Sequence, residues 1–255
     1  MANDNQTSPT VAILVGHGER GGARSNALLV RQAEAAADAN LHIIGGVLNG
    51  SPSFEDAVMV ALEKTDEQIL IYPFFMSAGY FVEVVLPRKI AELGATQRCR
   101  VLPPFGADAR IVPIMDAIAR SRATADGLDP VSSRLLLVGH GSRSGATASA
   151  IATRRAAAEI ARLRGFHCVD VAFLEERPLV GDVLPYCGLP TIVMGFFSGD
   201  GLHAGEDVPD AIAEWGQPAV YTGPIGASDE VPALLSSALK DAAISTGFPA
   251  ALLSK

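Results

Sequence analysis

The apolar residues of this chain gather in short runs that are separated by Ala-rich stretches with helical spacing. Residues 11–18 read VAILVGHG and residues 134–141 read RLLLVGHG. Each run has the length and the following glycine of a buried parallel strand. Helical stretches follow near 24–39 and 145–164. This alternation predicts an α/β protein in which mostly parallel sheets carry helices on both faces.

The same series of motifs occurs twice, at a shift of about 120–126 residues. Three further pairs align in the same order: 47–54 with 173–180, 73–87 with 195–209, and 104–113 with 224–232. A steady shift over several blocks indicates a tandem duplication. We therefore expect one domain over 10–122 and another over 134–255, joined by the turn-forming stretch 121–133 and facing each other across a cleft.

Composition narrows the classes of protein. The 255 residues are 49% hydrophobic, which is enough for two domains of about 120 residues, each with its own core. The net charge of −8 argues against a nucleic-acid or anionic-membrane partner, because both require a basic face. The absence of a long apolar run and of a signal-like start predicts a cytoplasmic protein.

The three cysteines are far apart and form no CxxC motif. This spacing argues against a zinc ribbon or a disulfide framework. We expect all three to be small, buried side chains.

In open parallel sheets, ligands bind beyond the carboxyl ends of the strands. In the second half, the residues that follow predicted strands are His140, Glu175 and His203, with Glu206 and Asp207 close behind. Two imidazoles and a carboxylate suit a divalent metal such as Fe, Co, Ni or Zn. Taken singly, a histidine at a strand end is more often a hydrogen-bonded structural residue.

The first half has kept one of these three groups. His17 repeats His140, but Asn49 aligns with Glu175 and Phe81 aligns with His203. Asparagine and phenylalanine cannot replace a carboxylate and an imidazole at a metal. The sequence therefore predicts a working site in the second half and a degenerate one in the first.

A dinucleotide site is an alternative, because GHGERG at 16–21 satisfies GxGxxG after a strand. The second copy, GHGSRS, lacks the third glycine, and the second strand ends in Leu48-Asn49 without the acidic residue that would hold a ribose. A nucleotide-binding oxidoreductase is thus the weaker hypothesis. The histidines His42 and His167 begin the second strands, opposite the expected site.

Four motifs resemble the sirohydrochlorin chelatase family: VGHGSRSGA, AFLEERP, GFFSGDGLHAGEDVP and GPIGASDEVP. The resemblance spans nearly the whole chain and is most specific in the second half. It implies two tandem chelatase-like, flavodoxin-like domains of the long family form. It also implies ATP-independent insertion of Co²⁺, Fe²⁺ or Ni²⁺ into a tetrapyrrole, with the metal as substrate and no permanently bound cofactor.

The resemblance also implies roles for particular residues. His140 and His203 would bind the incoming metal and accept pyrrole protons, and Glu175 would orient a histidine or take protons. A histidine at 203, where protoporphyrin ferrochelatases usually have glutamate, favours sirohydrochlorin or a close precorrin as substrate. Substrate-binding candidates in the strand-end loops are Arg20, Arg143, Arg177 and Gly201.

Three matters stay open at the level of sequence. The first is whether the metal is cobalt, with a product for cobalamin biosynthesis, or iron, with a product for sirohaem biosynthesis. The duplication favours a monomer or a weak homodimer, since short family members dimerise. A non-catalytic metal or tetrapyrrole carrier with the same fold is the alternative to an enzyme.

Overall fold

A computed structural model describes residues 9–18, 23–201 and 203–245 of the chain. The elements of the first sequence half are β1 (Thr10–Gly16), α1 (Ala23–Ala36), β2 (Leu41–Val47), α2 (Phe54–Lys64), β3 (Ile69–Pro73), α3 (Leu86–Glu92), β4 (Cys99–Val101) and α4 (Ile111–Ala125). Those of the second are β5 (Arg134–Gly139), α5 (Ala148–Arg162), β6 (Cys168–Phe173), α6 (Val180–Val183), β7 (Thr191–Gly195), α7 (Val208–Trp215), β8 (Ala219–Pro224) and α8 (Val231–Ser245). The predicted strand–helix alternation is confirmed.

The strands form two four-stranded sheets with the same topology. Their orders are β2-β1-β3-β4 and β6-β5-β7-β8, and every pair is parallel. The apolar runs recognised in the sequence are the inner strands β1 and β5, whose residues from Val11 to Val15 and from Leu135 to Val138 are almost entirely buried. Burial of both faces explains why these strands are continuously apolar rather than alternating.

The described residues divide into two compact units. One comprises the residues up to Pro73, Glu83–Pro103 and those from Val231, and the other comprises Phe74–Val82 and Pro104–Glu230. Helix α4 packs against α5 and β8, while α8 packs against α1, β1 and β3. Each sheet is therefore covered partly by a helix from the other sequence half. The boundaries 10–122 and 134–255 describe the repeat, and as domain limits they stay a prediction.

Two local expectations are wrong. The stretch 121–133 is not a linker along its whole length, because α4 continues to Ala125 and a short 3₁₀ turn occupies Pro130–Ser132. The cysteines are not all buried either: Cys99 and Cys168 are partly buried and Cys187 is exposed. Among the described residues, no helix is long and apolar enough to cross a bilayer.

The packing of α4 and α8 on the sheet of the other sequence half gives a testable prediction. Met115 of α4 and Leu235 of α8 are both fully buried, so replacing either with alanine is expected to lower the free energy of unfolding by about 2–5 kcal/mol. In native-state hydrogen exchange, Leu235→Ala should expose amides of β1–β3, and Met115→Ala should expose those of β7 and β8. If each variant instead loosened the sheet of its own sequence half, the assignment of these helices would be wrong.

Candidate functional site

Three of the predicted site residues follow neighbouring strands of the second sheet. His140 directly follows β5, Glu175 lies two residues after β6, and His203 begins a π-helical turn (His203–Asp207) between β7 and α7. The amide of Glu175 donates to the carbonyl of His140 at 3.0 Å, which extends the β5–β6 pairing beyond the strands. The central position of β5 between β6 and β7 thus brings the three turns together.

The two imidazole rings meet at their Nε2 atoms, which are 3.0 Å apart. The rings stand at 89° to each other with centroids 4.5 Å apart. Each side chain is 40% exposed, so solvent reaches the pair. The structure therefore brings together the two residues that the sequence proposed as metal ligands.

The carboxylate of Asp207 orients the His203 ring through the nitrogen that faces away from His140. Nδ1 of His203 lies 2.6 Å from Oδ2 of Asp207, one π turn further along. Because a carboxylate only accepts, this nitrogen carries the proton, and Nε2 then presents its lone pair to His140. In the sequence Asp207 is noted only as a neighbour of His203, although its position four residues after the histidine was the available signal.

The His140 ring also has acceptors next to its Nδ1 atom. Its Nδ1 lies 3.1 Å from the carbonyl oxygen of Gly141 and 3.6 Å from Oε2 of Glu175. Both neighbours are acceptors, so Nδ1 carries a proton and Nε2 faces His203. With both Nδ1 atoms protonated, the two Nε2 lone pairs face each other at 3.0 Å and repel each other unless a proton or a metal ion lies between them.

The separation of the two nitrogens suits a loosely held metal ion. With metal–nitrogen bonds of ~2.0–2.1 Å, nitrogens 3.0 Å apart would subtend roughly 90° at the ion. Within the described residues, no group of three or more His, Cys, Asp or Glu side chains is arranged to hold a metal. Glu175 lies on the Nδ1 side of His140, behind the ring rather than beside its ligating nitrogen. The arrangement thus offers two imidazole nitrogens to a metal ion and would leave its other coordination positions open.

The His203 turn is anchored in the core by its neighbours. Ala204 and Val208 are buried in an apolar cluster with Phe197, Val180 and Leu184. The hydroxyl of Tyr221 donates to the carbonyl of Ala204 at 2.9 Å. Burial raises the pKa of Tyr221 to about 12, so the phenol stays protonated and remains a donor at neutral pH.

The turn after β5 requires glycine. Gly141 has φ +73°, and a Cβ there would lie 2.7 Å from Cγ of Glu176 and 3.0 Å from Cβ of Phe173. Oε2 of Glu176 accepts from the amide of Ser142 at 2.9 Å and holds this turn against the one after β6. Glu176 is not among the site residues predicted from the sequence.

The proposed substrate-binding residues differ in what they contact. Arg143 is 81% exposed, with Nε 3.7 Å from Oε1 of Glu175. Arg177 donates to Asp182 at 2.6 Å. The carbonyl of Gly201 accepts from the amides at 204 and 205 at the start of the π turn. Arg20 lies outside the described residues.

The first half repeats the backbone of the site with one of its three predicted side chains, His17. The amide of Asn49 donates to the carbonyl of His17 at 2.9 Å, as that of Glu175 does to His140. Nδ1 of His17 lies 2.7 Å from the carbonyl of Gly18. A π-helical turn again precedes α3, but it begins with Phe81. The turn that supplies His203 in the second half therefore supplies a phenyl ring here.

Fold and site together define a duplicated α/β protein with an open pair of imidazoles at the carboxyl edge of one sheet. The sequence model of the CbiX family matches residues 11–121 and 134–242, once in each half. The chain belongs to the CbiX family. This confirms the resemblance to the sirohydrochlorin chelatases and the expected fold class.

Individual relatives agree with this assignment. A probable sirohydrochlorin cobaltochelatase from Halobacterium salinarum is 26% identical over 181 residues, 62% of this chain and 61% of that protein. The match therefore spans less than two thirds of that relative. The structure of a CbiX protein, described as the terminal enzyme for biosynthesis of siroheme in denitrifying bacteria, is 30% identical, with a TM-score of 0.76 and coverage of 91% of this chain and 99% of that one.

SirB from Bacillus subtilis, solved with Fe³⁺, has the same fold. Its TM-score is 0.76 over 93% of this chain and 97% of that one, at 16% identity.

The geometry predicts that Asp207 controls metal affinity through His203. Asp207→Asn removes the negative charge that fixes the Nδ1–H tautomer, and it should weaken Co²⁺ binding by about 10–100-fold. Isothermal titration of the purified protein with Co²⁺ measures the change. Glu206→Gln removes the same charge from an exposed neighbour and should leave the affinity within about twofold of wild type. Equal losses in both variants would show a general charge effect instead.

Proposed function

We propose that this chain inserts a divalent metal, cobalt or iron, into sirohydrochlorin or a closely related tetrapyrrole without ATP. The observation that carries the proposal is the pair of Nε2 atoms of His140 and His203, 3.0 Å apart and open to solvent. Membership of the CbiX family and the names of the relatives, a cobaltochelatase and an enzyme of siroheme biosynthesis, supply the substrate class.

The metal is a substrate, so the site must bind it and then release it. In our proposal His140 and His203 bind the ion together while water or the macrocycle fills its other positions. A closed tetrahedral cage would hold the metal too tightly for turnover. The open arrangement of two imidazoles supports transient binding, and this favours an enzyme over a carrier.

Insertion releases two pyrrole N–H protons, and a base must receive them. Imidazole titrates near neutral pH and serves as base as well as ligand. We assign this step to the same pair: a ring nitrogen that passes its metal to the macrocycle regains a lone pair and can accept a pyrrole proton. The carboxylate of Glu175, 3.6 Å from Nδ1 of His140, would stabilise the imidazolium that results.

Sirohydrochlorin is a polycarboxylate, whereas the chain carries a net charge of −8. Local cations must therefore offset the overall repulsion. Arg143 is the best placed of the predicted arginines, since its guanidinium is mostly exposed and lies only loosely against Glu175. Arg177 forms an ion pair with Asp182, so we assign it a smaller contribution to binding of the substrate carboxylates.

The proposal predicts that the histidine pair is required for activity. His140→Ala and His203→Ala should each lower the rate of metal insertion at least about 100-fold, because each removes a metal ligand and a base. The assay follows the absorbance of sirohydrochlorin after addition of Co²⁺, or of Fe²⁺ under anaerobic conditions, with and without protein. His42→Ala changes an exposed histidine in the other compact unit and should keep the wild-type rate.

Normal insertion by both variants would contradict the assigned site. Tight binding of sirohydrochlorin by the wild type without faster metal insertion would identify a carrier. Competition between Co²⁺ and Fe²⁺ in the same assay decides which metal the protein uses.

The two arginines give a separate prediction about the substrate carboxylates. Arg143→Gln should raise the KM for sirohydrochlorin several-fold, with the larger effect at low salt, because an exposed charge acts through a screened interaction. Arg177→Gln should have a smaller effect, since its charge is already paired. Steady-state kinetics at two ionic strengths measures both, and a larger effect at Arg177 would reverse the assignment.

A further inference from the structure

The segments that follow β3 and β7 are copies that have changed in a coordinated way. In the second half His203 begins the π turn and Asp207 ends it. In the first half the corresponding turn begins with Phe81 and ends with Val85. Both members of the imidazole–carboxylate pair are thus replaced by apolar side chains. The π turn itself is kept, so the backbone now presents an aromatic ring where its copy presents an imidazole.

Phe81 is part of an aromatic cluster that also contains Phe75 and Tyr80. The rings of Phe75 and Phe81 are nearly parallel, at 16° with centroids 6.2 Å apart. Tyr80 meets Phe81 edge to face at 5.7 Å. Tyr80 is 61% exposed, and the other two rings are partly exposed. Tyr80 therefore presents an aromatic ring to solvent, with two partly exposed rings beside it.

The cluster belongs to the same compact unit as the histidine pair. Gly79 lies beside Ala148, the first residue of α5, since a Cβ built on Gly79 would come 3.8 Å from Cβ of Ala148. The next residue, Ser149, accepts a hydrogen bond from the amide of Gly141 at 3.3 Å. Gly141 directly follows His140. The aromatic segment and the turn that carries the site therefore both adjoin the start of α5.

The start of the segment, Phe74 and Phe75, is held by contacts with the next loop. The amide of Gly106 donates to the carbonyl of Phe75 at 3.0 Å. The rings of Phe74 and Phe105, both buried, pack with centroids 4.7 Å apart. A surface that is ordered before binding loses little conformational entropy when a ligand arrives.

We propose that Phe75, Tyr80 and Phe81 form a stacking surface for the conjugated macrocycle of the tetrapyrrole. This inference rests on the proposed function, which supplies the ligand. The macrocycle is flat and apolar on its faces and carries its carboxylates at the rim. Aromatic rings bind the faces by offset or edge-to-face stacking, while cations such as Arg143 are suited to the rim. The turn that corresponds to the His203 turn thus becomes part of the substrate-binding surface.

The test titrates sirohydrochlorin into metal-free protein and follows its absorbance and fluorescence. Leucine keeps the apolar volume at a position but removes the aromatic face. The double variant Tyr80→Leu with Phe81→Leu should bind about 10-fold more weakly than wild type, and each single variant about 3-fold. Tyr186→Leu is the matched control, because Tyr186 is an 86% exposed tyrosine elsewhere in the same unit. Its affinity should equal that of wild type.

Co²⁺ titration of the same variants separates a binding defect from a folding defect. The histidine pair should bind Co²⁺ as in wild type in every variant. If the double variant fails this check, Tyr80→Leu decides the matter alone, since the exposed position tolerates the change. Wild-type affinity for sirohydrochlorin in a folded variant that lacks these rings overturns the stacking surface.

The result also distinguishes this inference from the proposed function. Wild-type protein that inserts metal, with variants that bind sirohydrochlorin equally well, refutes the stacking surface only. Wild-type protein that binds sirohydrochlorin through these rings but inserts no metal refutes the enzyme and supports the stacking surface. Wild-type protein that binds no sirohydrochlorin refutes both.

Discussion

The approach of two imidazole nitrogens to 3.0 Å is the constraint on which the site depends. Each ring has an acceptor at its far nitrogen: Asp207 for His203, and Gly141 with Glu175 for His140. With a proton on each far nitrogen, both lone pairs face each other, and a proton or a metal ion between them makes the arrangement favourable. The surrounding elements keep the pair in place, since β5 runs between β6 and β7 and the His203 turn is fixed in an apolar core.

Duplication gives this chain two copies of one backbone with different side-chain chemistry. The strand order, the hydrogen bond that joins the residue after β1 or β5 to the neighbouring turn, and the π turn occur in both copies. The difference lies in Asn49, Phe81 and Val85, which correspond to Glu175, His203 and Asp207. We propose that the second copy binds the metal and that the first copy contributes aromatic surface for the macrocycle. These two roles would explain why both copies keep the same turn.

Much of this was accessible from the sequence because parallel sheets place strand ends at one edge. His140 and His203 follow inner strands, so their proximity could be predicted. The role of Asp207 could not, because it depends on a π turn that brings a carboxylate onto the imidazole four residues earlier. Nor could the positions of α4 and α8, since a repeat shows which segments are alike and not which sheet each helix covers. The difference between Arg143 and Arg177 depends on Asp182, a partner that no motif marks.

In the proposed site, His140 and His203 hold the metal as an open pair. X-ray absorption spectroscopy of the Co²⁺-loaded protein measures this coordination. Two imidazole nitrogens are expected at ~2.0–2.1 Å, with the remaining positions filled by exchangeable oxygen ligands. One of these two nitrogens should be lost from the spectrum of His203→Ala. A closed shell of four protein ligands, or a spectrum that His203→Ala leaves unchanged, would contradict it.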